Sequence, residues 1–346
     1  MKALIKQAAG AGNVSLLEVE EPKITKPDEV KIAVKAAGLC GTDLEIRNGR
    51  DAMFRPPVIF GHEYCGQVLE VGPEVTLFKV GDRVVFEPTV RICEECRYCR
   101  EGRPNLCSSR LIAGFNTPGG FAEYAVRRQK FVHRLPDRVG FLAGAVCEPL
   151  AVATHAVLEL SPPAPGDVVV IFGPGAIGLM ALQLVKSAGA RPIMVGTGKD
   201  KSRLQLAGKL GAELTIDIDK EKDTLSRLVQ ERTAGYGADV VIGCAGDPGI
   251  FGVGIDLLRK GGRLMQIGLF TREVPFFADK MAYRELILQG SFGQKYSAWK
   301  RALALLEQGL VNTEPLVTAL PLSQWEKGFQ LAESKLALKV VFEPGK

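Results

Sequence analysis

Val168-Val169-Val170-Ile171-Phe172-Gly173-Pro174-Gly175-Ala176-Ile177-Gly178 is the stretch that decides the fold. Five apolar residues in a row read as a strand buried on both faces, and the glycines at 173, 175 and 178 break it into a tight turn. Ile177, Met180, Ala181, Leu184, Val185 and Ala188 then recur at helical spacing. A bare glycine pattern also fits a plain βα unit. Strand, glycine turn and helix in this order form the dinucleotide fingerprint, in which the backbone approaches a pyrophosphate whose charge lies at the helix N-terminus.

Downstream, Pro192-Ile193-Met194-Val195 reads as the next strand, and an acid for the ribose 2′-hydroxyl is expected about twenty residues past the last glycine. Gly198 stands there instead, followed by Lys199, Lys201 and Arg203 with Ser202 among them. Positive charge without a carboxylate favours NADP over NAD; the alternative is that Asp200 reaches the ribose. Strands over 238–244 and 262–268 continue the pattern, with Gly246 and Gly268 placed after strands where backbone could approach the nicotinamide end. Repeated β and α elements imply a parallel sheet. An amphipathic helix over 296–306 and a final strand over 338–342 close the chain.

Upstream, residues 1 to about 90 alternate in short β-rich runs broken by turns, over 30–34, 66–71 and 81–86, which suggests a small β-barrel. Its loops carry the chemistry. Gly61-His62-Glu63 sets an imidazole beside a carboxylate downstream of the lone thiol Cys40, and Cys, His and Glu are side chains that a catalytic zinc prefers when one position stays open. In Cys40-Gly41-Thr42-Asp43 the hydroxyl is placed to relay a proton and the carboxylate to orient His62; both also suit capping of a helical turn. Glu148, in Cys147-Glu148-Pro149-Leu150, is the candidate that completes the site, directly or through water, with Cys147 as its competitor. His155 reads as a packed or solvent-edge histidine.

Cys93-x2-Cys96-x2-Cys99-x7-Cys107 is the most specific signal. Four thiolates so close suit tetrahedral zinc with no open position, hence a structural ion, and Arg91, Arg97, Arg100, Arg103 and Arg110 offset its negative charge. Eight cysteines, four of them in this lobe, point to metal and catalysis in a reducing compartment rather than to disulfides.

Composition narrows the rest. The 346 residues, 46% hydrophobic, suffice for two domains and a sizeable core. The net charge of +5 is dispersed, so no nucleic-acid footprint is expected. The first residues lack the apolar segment of a secretory signal and no run of about 18 apolar residues spans a bilayer, so a cytoplasmic location without membrane contact is expected.

Taken together, these motifs resemble the zinc-dependent medium-chain alcohol dehydrogenase family over essentially the whole chain, most closely its polyol branch of sorbitol and threonine dehydrogenase relatives. Gly61-His62-Glu63-Tyr64-Cys65-Gly66 matches the family's Gly-His-Glu-x2-Gly signature. The resemblance implies an α/β protein with a GroES-like β-barrel catalytic domain (1–152 and 287–346, carrying the structural-zinc lobe) and a Rossmann doubly wound cofactor domain (153–286). It implies two zincs per chain, the catalytic one at Cys40, His62, Glu63 and Glu148, with Thr42 as proton relay and Asp43 behind the ligands, and usually a homo-tetramer. The implied activity is NAD(P)-linked oxidation of a secondary alcohol, a polyol or sugar-derived compound, to a ketone and the reverse. Where relatives carry a histidine five residues after the cysteine, this chain has Glu45, with Arg47 following. Arg47 and Lys295 therefore become candidates for a substrate phosphate or carboxylate, which keeps L-threonine 3-dehydrogenase and polyol-phosphate dehydrogenase open as alternatives. A catalytically silent dinucleotide-binding redox sensor is the alternative from another class.

Overall fold

A computed structural model describes residues 1–50 and 53–346. The chain forms two compact units, one of residues 1–149, 295–307 and 313–346, the other of residues 150–294 and 308–312.

The first unit is β-rich. Its larger sheet runs in the order Val132–Arg134, Arg83–Phe86, Glu63–Val71, Glu29–Gly38, Lys339–Glu343, Val317–Pro321, with Tyr124–Arg128 also paired to Glu29–Gly38. A smaller sheet joins Val14–Glu18, Lys2–Lys6 and Val58–Ile59. Alternating residues of these strands fill one core in which Phe60, Tyr64, Phe86, Phe121, Phe329 and Phe342 are buried. Aromatic contacts such as Phe121 against Phe342, edge to face at 5.2 Å, add to the apolar burial that holds the sheets. Two register pairs matter for the site: Gly38 lies opposite Glu63 on one side and Val341 on the other. That places the last strand beside the Gly-His-Glu turn.

The second unit is a six-stranded parallel sheet in the order Leu214–Asp217, Arg191–Gly196, Val168–Phe172, Ala238–Gly243, Leu258–Gln266, Ile287–Gly290. Counted along the chain this is 3-2-1-4-5-6, the doubly wound arrangement expected of the fingerprint. Val168 to Phe172 are all buried, as an uninterrupted apolar run in a two-sided sheet must be. The helix Ala176–Ser187 packs Leu179, Met180, Leu182, Leu184 and Val185 inward. The helix over Tyr296–Glu307 and the last strand, Lys339–Glu343, form where the apolar spacing put them.

Candidate metal centre and dinucleotide turn

Cys40 ends the path out of the strand Glu29–Gly38 and N-caps the short helix Gly41–Arg47. His62 lies in the turn immediately before the strand Glu63–Val71. The loop and the turn bring one ligand atom each of Cys40, His62 and Glu63 within 4.8 Å of one another. His62, Glu63 and Asp43 are all buried, and His62 Nδ1 and Asp43 Oδ1 make no hydrogen bond within the protein. Buried polar atoms without partners are expensive, so a converging set of thiol, imidazole and carboxylate with spare lone pairs fits a divalent cation.

Neighbouring groups orient this set. Asp43 Oδ2 accepts the Cys40 N–H at 2.9 Å, capping the helix, while Oδ1 stands 3.7 Å from His62 Nδ1, too far for a hydrogen bond. Thr42 Oγ1 lies 3.7 Å from Cys40 Sγ. Burial opposes the charged form of His62, but the adjacent charges of Asp43 and Cys40 outweigh it and hold the imidazole well above its ordinary value.

Glu148 is buried in the first turn of the helix Cys147–Thr154, and its carboxylate falls outside the group formed by Cys40, His62 and Glu63. Its charge acts instead on Lys339 and Arg110. Cys147 is fully buried outside that group as well, and burial pushes its thiol well up. His155 pairs with Glu159 at 2.7 Å.

Sequence reading missed Lys339. Its Nζ donates to Glu63 Oε1 at 2.6 Å and to Leu39 O at 3.0 Å, and it also contacts Glu63 Oε2. The only hint in the sequence is a lysine alone in the apolar run from Ala337 to Phe342.

Cys93, Cys96, Cys99 and Cys107 likewise gather their sulfurs within 4.8 Å. The backbone N–H groups of Cys96 and Glu95 hold the Cys93 thiol down at about 6, whereas burial and the neighbouring sulfurs push Cys99 up to about 12, so without a cation the four sulfurs do not all ionise together. No disulfide forms among the described residues.

In the second unit, Gly173 adopts φ +97°, and a Cβ there would sit 2.9 Å from the Ala245 backbone. A Cβ on Gly178 would lie 2.0 Å from Gly173 O, whereas one on Gly175 would meet nothing within 4 Å. Gly178 is thus needed for the protein's own packing, and Gly175 leaves open room at the start of the helix Ala176–Ser187, whose first turn also holds Ile177. Together they suit an approaching pyrophosphate. Gly246 and Gly268 follow the strands Ala238–Gly243 and Leu258–Gln266, and a Cβ on Gly268 would lie 2.7 Å from Ala245 O.

At the ribose position Asp200 turns back to accept from Thr197 N and Oγ1, at 3.0 and 2.8 Å. Arg203 lies 3.9 Å from Asp200, and Lys199 is exposed. Asp219 comes in from beyond the next strand and accepts the Gly198 N–H. Arg47 does not join the metal centre: it ends the helix whose other end holds Cys40, pairs with Glu333 at 3.3 Å and stacks over Phe329. Lys295 is half-buried, its carbonyl accepting the Ala298 and Trp299 N–H groups.

The alcohol dehydrogenase GroES-like domain family matches residues 26–137, and the zinc-binding dehydrogenase family matches residues 176–308. The chain is 42% identical to sorbitol dehydrogenase of Halalkalibacterium halodurans over 99% of both chains. It is 38% identical to D-arabitol-phosphate dehydrogenase of Enterococcus avium, covering 99% of this chain and 97% of the relative. The crystal structure of 2R,3R-butanediol dehydrogenase from Bacillus subtilis superposes with a TM-score of 0.89 at 31% identity, over 99% of both chains. The chain belongs to the zinc-dependent medium-chain alcohol dehydrogenase family, and is an NAD(P)-linked alcohol or polyol dehydrogenase.

Proposed function

We propose that the substrate is a neutral polyol or sugar-derived secondary alcohol, oxidised reversibly to the ketone at Cys40, His62 and Glu63. The observation that carries this reading is the convergence of half-buried Cys40 with buried His62 and Glu63. A zinc ion held there would supply Lewis acidity to an alcohol oxygen, and a dinucleotide at the Gly173–Gly178 turn would supply the hydride acceptor. Thr42, half-buried beside Cys40, passes the hydroxyl proton outward. Asp43 fixes the His62 ring, and Glu148 adds a carboxylate behind Lys339. The four-cysteine lobe holds a second, structural zinc.

The engagement of Arg47 by Glu333 and Phe329 supports a neutral substrate over a phosphorylated one. The dinucleotide is NADP or NAD, with NADP slightly favoured through Lys199 and Arg203. Eight unpaired cysteines suit a reducing, cytoplasmic setting. Exposed Leu269, Phe277, Tyr283 and Ile287, the last on the sheet-edge strand Ile287–Gly290, suit burial between subunits of a homo-tetramer.

The test is nicotinamide reduction on neutral polyols, polyol phosphates and threonine, each with NAD and NADP. Turnover of a neutral polyol is expected. Turnover confined to a phosphate or to threonine overturns the substrate assignment.

A further inference from the structure

Lys6 is fully buried, and among the described residues all its partners are backbone carbonyls. Its Nζ donates to Gly10 O, to Gly12 O at 2.6 Å and to Arg47 O at 3.1 Å, which uses every N–H of an ammonium. A buried charge without a carboxylate costs free energy unless its hydrogen bonds are complete, so the three carbonyls must be held in register around it. They come from two segments far apart in the sequence. Gly10 and Gly12, at φ +84° and +72°, belong to the loop between Lys2–Lys6 and Val14–Glu18, and Arg47 is the last residue of the helix Gly41–Arg47. The Gly12 N–H also donates to Arg47 O, at 2.9 Å, and a Cβ on Gly49 would fall 2.7 Å from the Gly10 backbone. An ammonium and an N–H thus meet the carbonyl end of the helix, where the dipole and the unpaired carbonyls favour them. The other end of the same helix has Cys40 as its N-cap and Thr42 in its first turn, with Thr42 Oγ1 3.7 Å from Cys40 Sγ.

We propose that Lys6 is a positioning residue for the alcohol oxidation: by fixing the far end of the helix Gly41–Arg47 it holds the Thr42 hydroxyl on the path of the substrate proton. The proposal rests on the reading of Thr42 as the relay. Seven residues make two turns, about 10 Å long, and so short a helix has too few internal hydrogen bonds to hold its own shape. Its setting comes from what grips its ends. Asp43 Oδ2 ties the first end through the Cys40 N–H, and Lys6 ties the second through Arg47 O. With the first tie alone the helix can pivot about Cys40, and a displacement of about 1 Å in a reacting group can cost about 100-fold in rate.

The experiment is a double-variant cycle on the full chain. Lys6→Met and Lys6→Gln are made in the parent and in Thr42→Val, and kcat and KM are measured per folded, zinc-loaded molecule. K6Q keeps an amide donor in the carbonyl cage and secures the test if K6M does not fold. In the parent, both substitutions are expected to lower kcat by about tenfold with KM within about twofold. In T42V they lower kcat by less than about twofold, because the hydroxyl they would misplace is absent. A lysine that only stabilises the fold would lower Tm and leave kcat per folded molecule unchanged in the parent, and that result overturns the proposal. The same tenfold loss repeated in T42V overturns it too, by separating Lys6 from Thr42. A T42V with the parent kcat overturns the relay reading, and this proposal with it, whatever the Lys6 variants do.

Discussion

Gly198 donates its backbone N–H to Oδ2 of Asp219, 21 residues further on, at 3.0 Å. A carboxylate therefore stands at the ribose end of the dinucleotide turn although position 198 carries no side chain. A 2′-phosphate there would meet Asp219 as well as Lys199 and Arg203. Asp219→Asn is expected to raise the preference for NADPH over NADH by about fivefold, on the order of 1 kcal/mol for one exposed charge a few ångströms away. Fluorescence titration with each reduced dinucleotide measures it, and the gain shrinks in high salt. An unchanged affinity ratio would show that Asp219 does not face the 2′ position.

The two metal sites separate by variant. Each chain is expected to carry two zinc ions by atomic emission. Cys96→Ser lowers the count by one and depresses Tm, because a closed tetrathiolate site contributes directly to folding. His62→Ala also loses one ion, yet abolishes turnover while leaving the cysteine lobe filled.

Thr42→Val keeps the shape of the side chain and removes its hydroxyl. We expect kcat to fall by about 100-fold, the lower end for loss of a positioned proton-transfer group, with Thr42→Ser close to the parent. An active T42V would move the relay elsewhere.

Gly175 and Gly178 differ in what they clear. Gly175→Ala places its methyl where the protein has nothing within 4 Å, so Tm stays at the parent value while dinucleotide affinity drops by at least about tenfold. Gly178→Ala runs into Gly173 O and destabilises the fold itself. Thermal unfolding and calorimetric titration distinguish the two.

Arg191 grips Glu213 through two hydrogen bonds, of 2.7 and 2.8 Å, and these hold the Glu213 carboxyl below its ordinary value. A lowered folded-state pKa contributes stability above the unfolded value, lost as pH falls through the folded one. With the Glu213 side chain 34% exposed and screened by solvent, Glu213→Gln should cost about 0.5 kcal/mol at pH 7. Denaturant titrations of parent and variant should approach one another as pH falls below the ordinary carboxylate range; a constant gap would assign the effect to something other than charge.

What could be read from the chain were local patterns. The Val168–Phe172 run, its glycines and the four cysteines each lie within one short stretch, where spacing alone constrains geometry. Lys339 could not be found that way, since 276 residues separate it from Glu63 and only sheet register joins them. Asp219 was hidden because the sequence rule for the ribose acid looks along one strand and its turn, whereas the carboxylate arrives from the start of the helix that follows the neighbouring strand. Arg47 looked available because its partner, Glu333, lies 286 residues away.

The pairing of Lys339–Glu343 with Glu29–Gly38 also sets a timetable. Cys40, His62 and Glu63 leave the ribosome early, with one edge of Glu29–Gly38 still bare and Glu63 lacking its ammonium. Lys339 is thus the last of these residues to be made, and the buried ion pair of Glu63 is complete only once the final strand has closed on Glu29–Gly38.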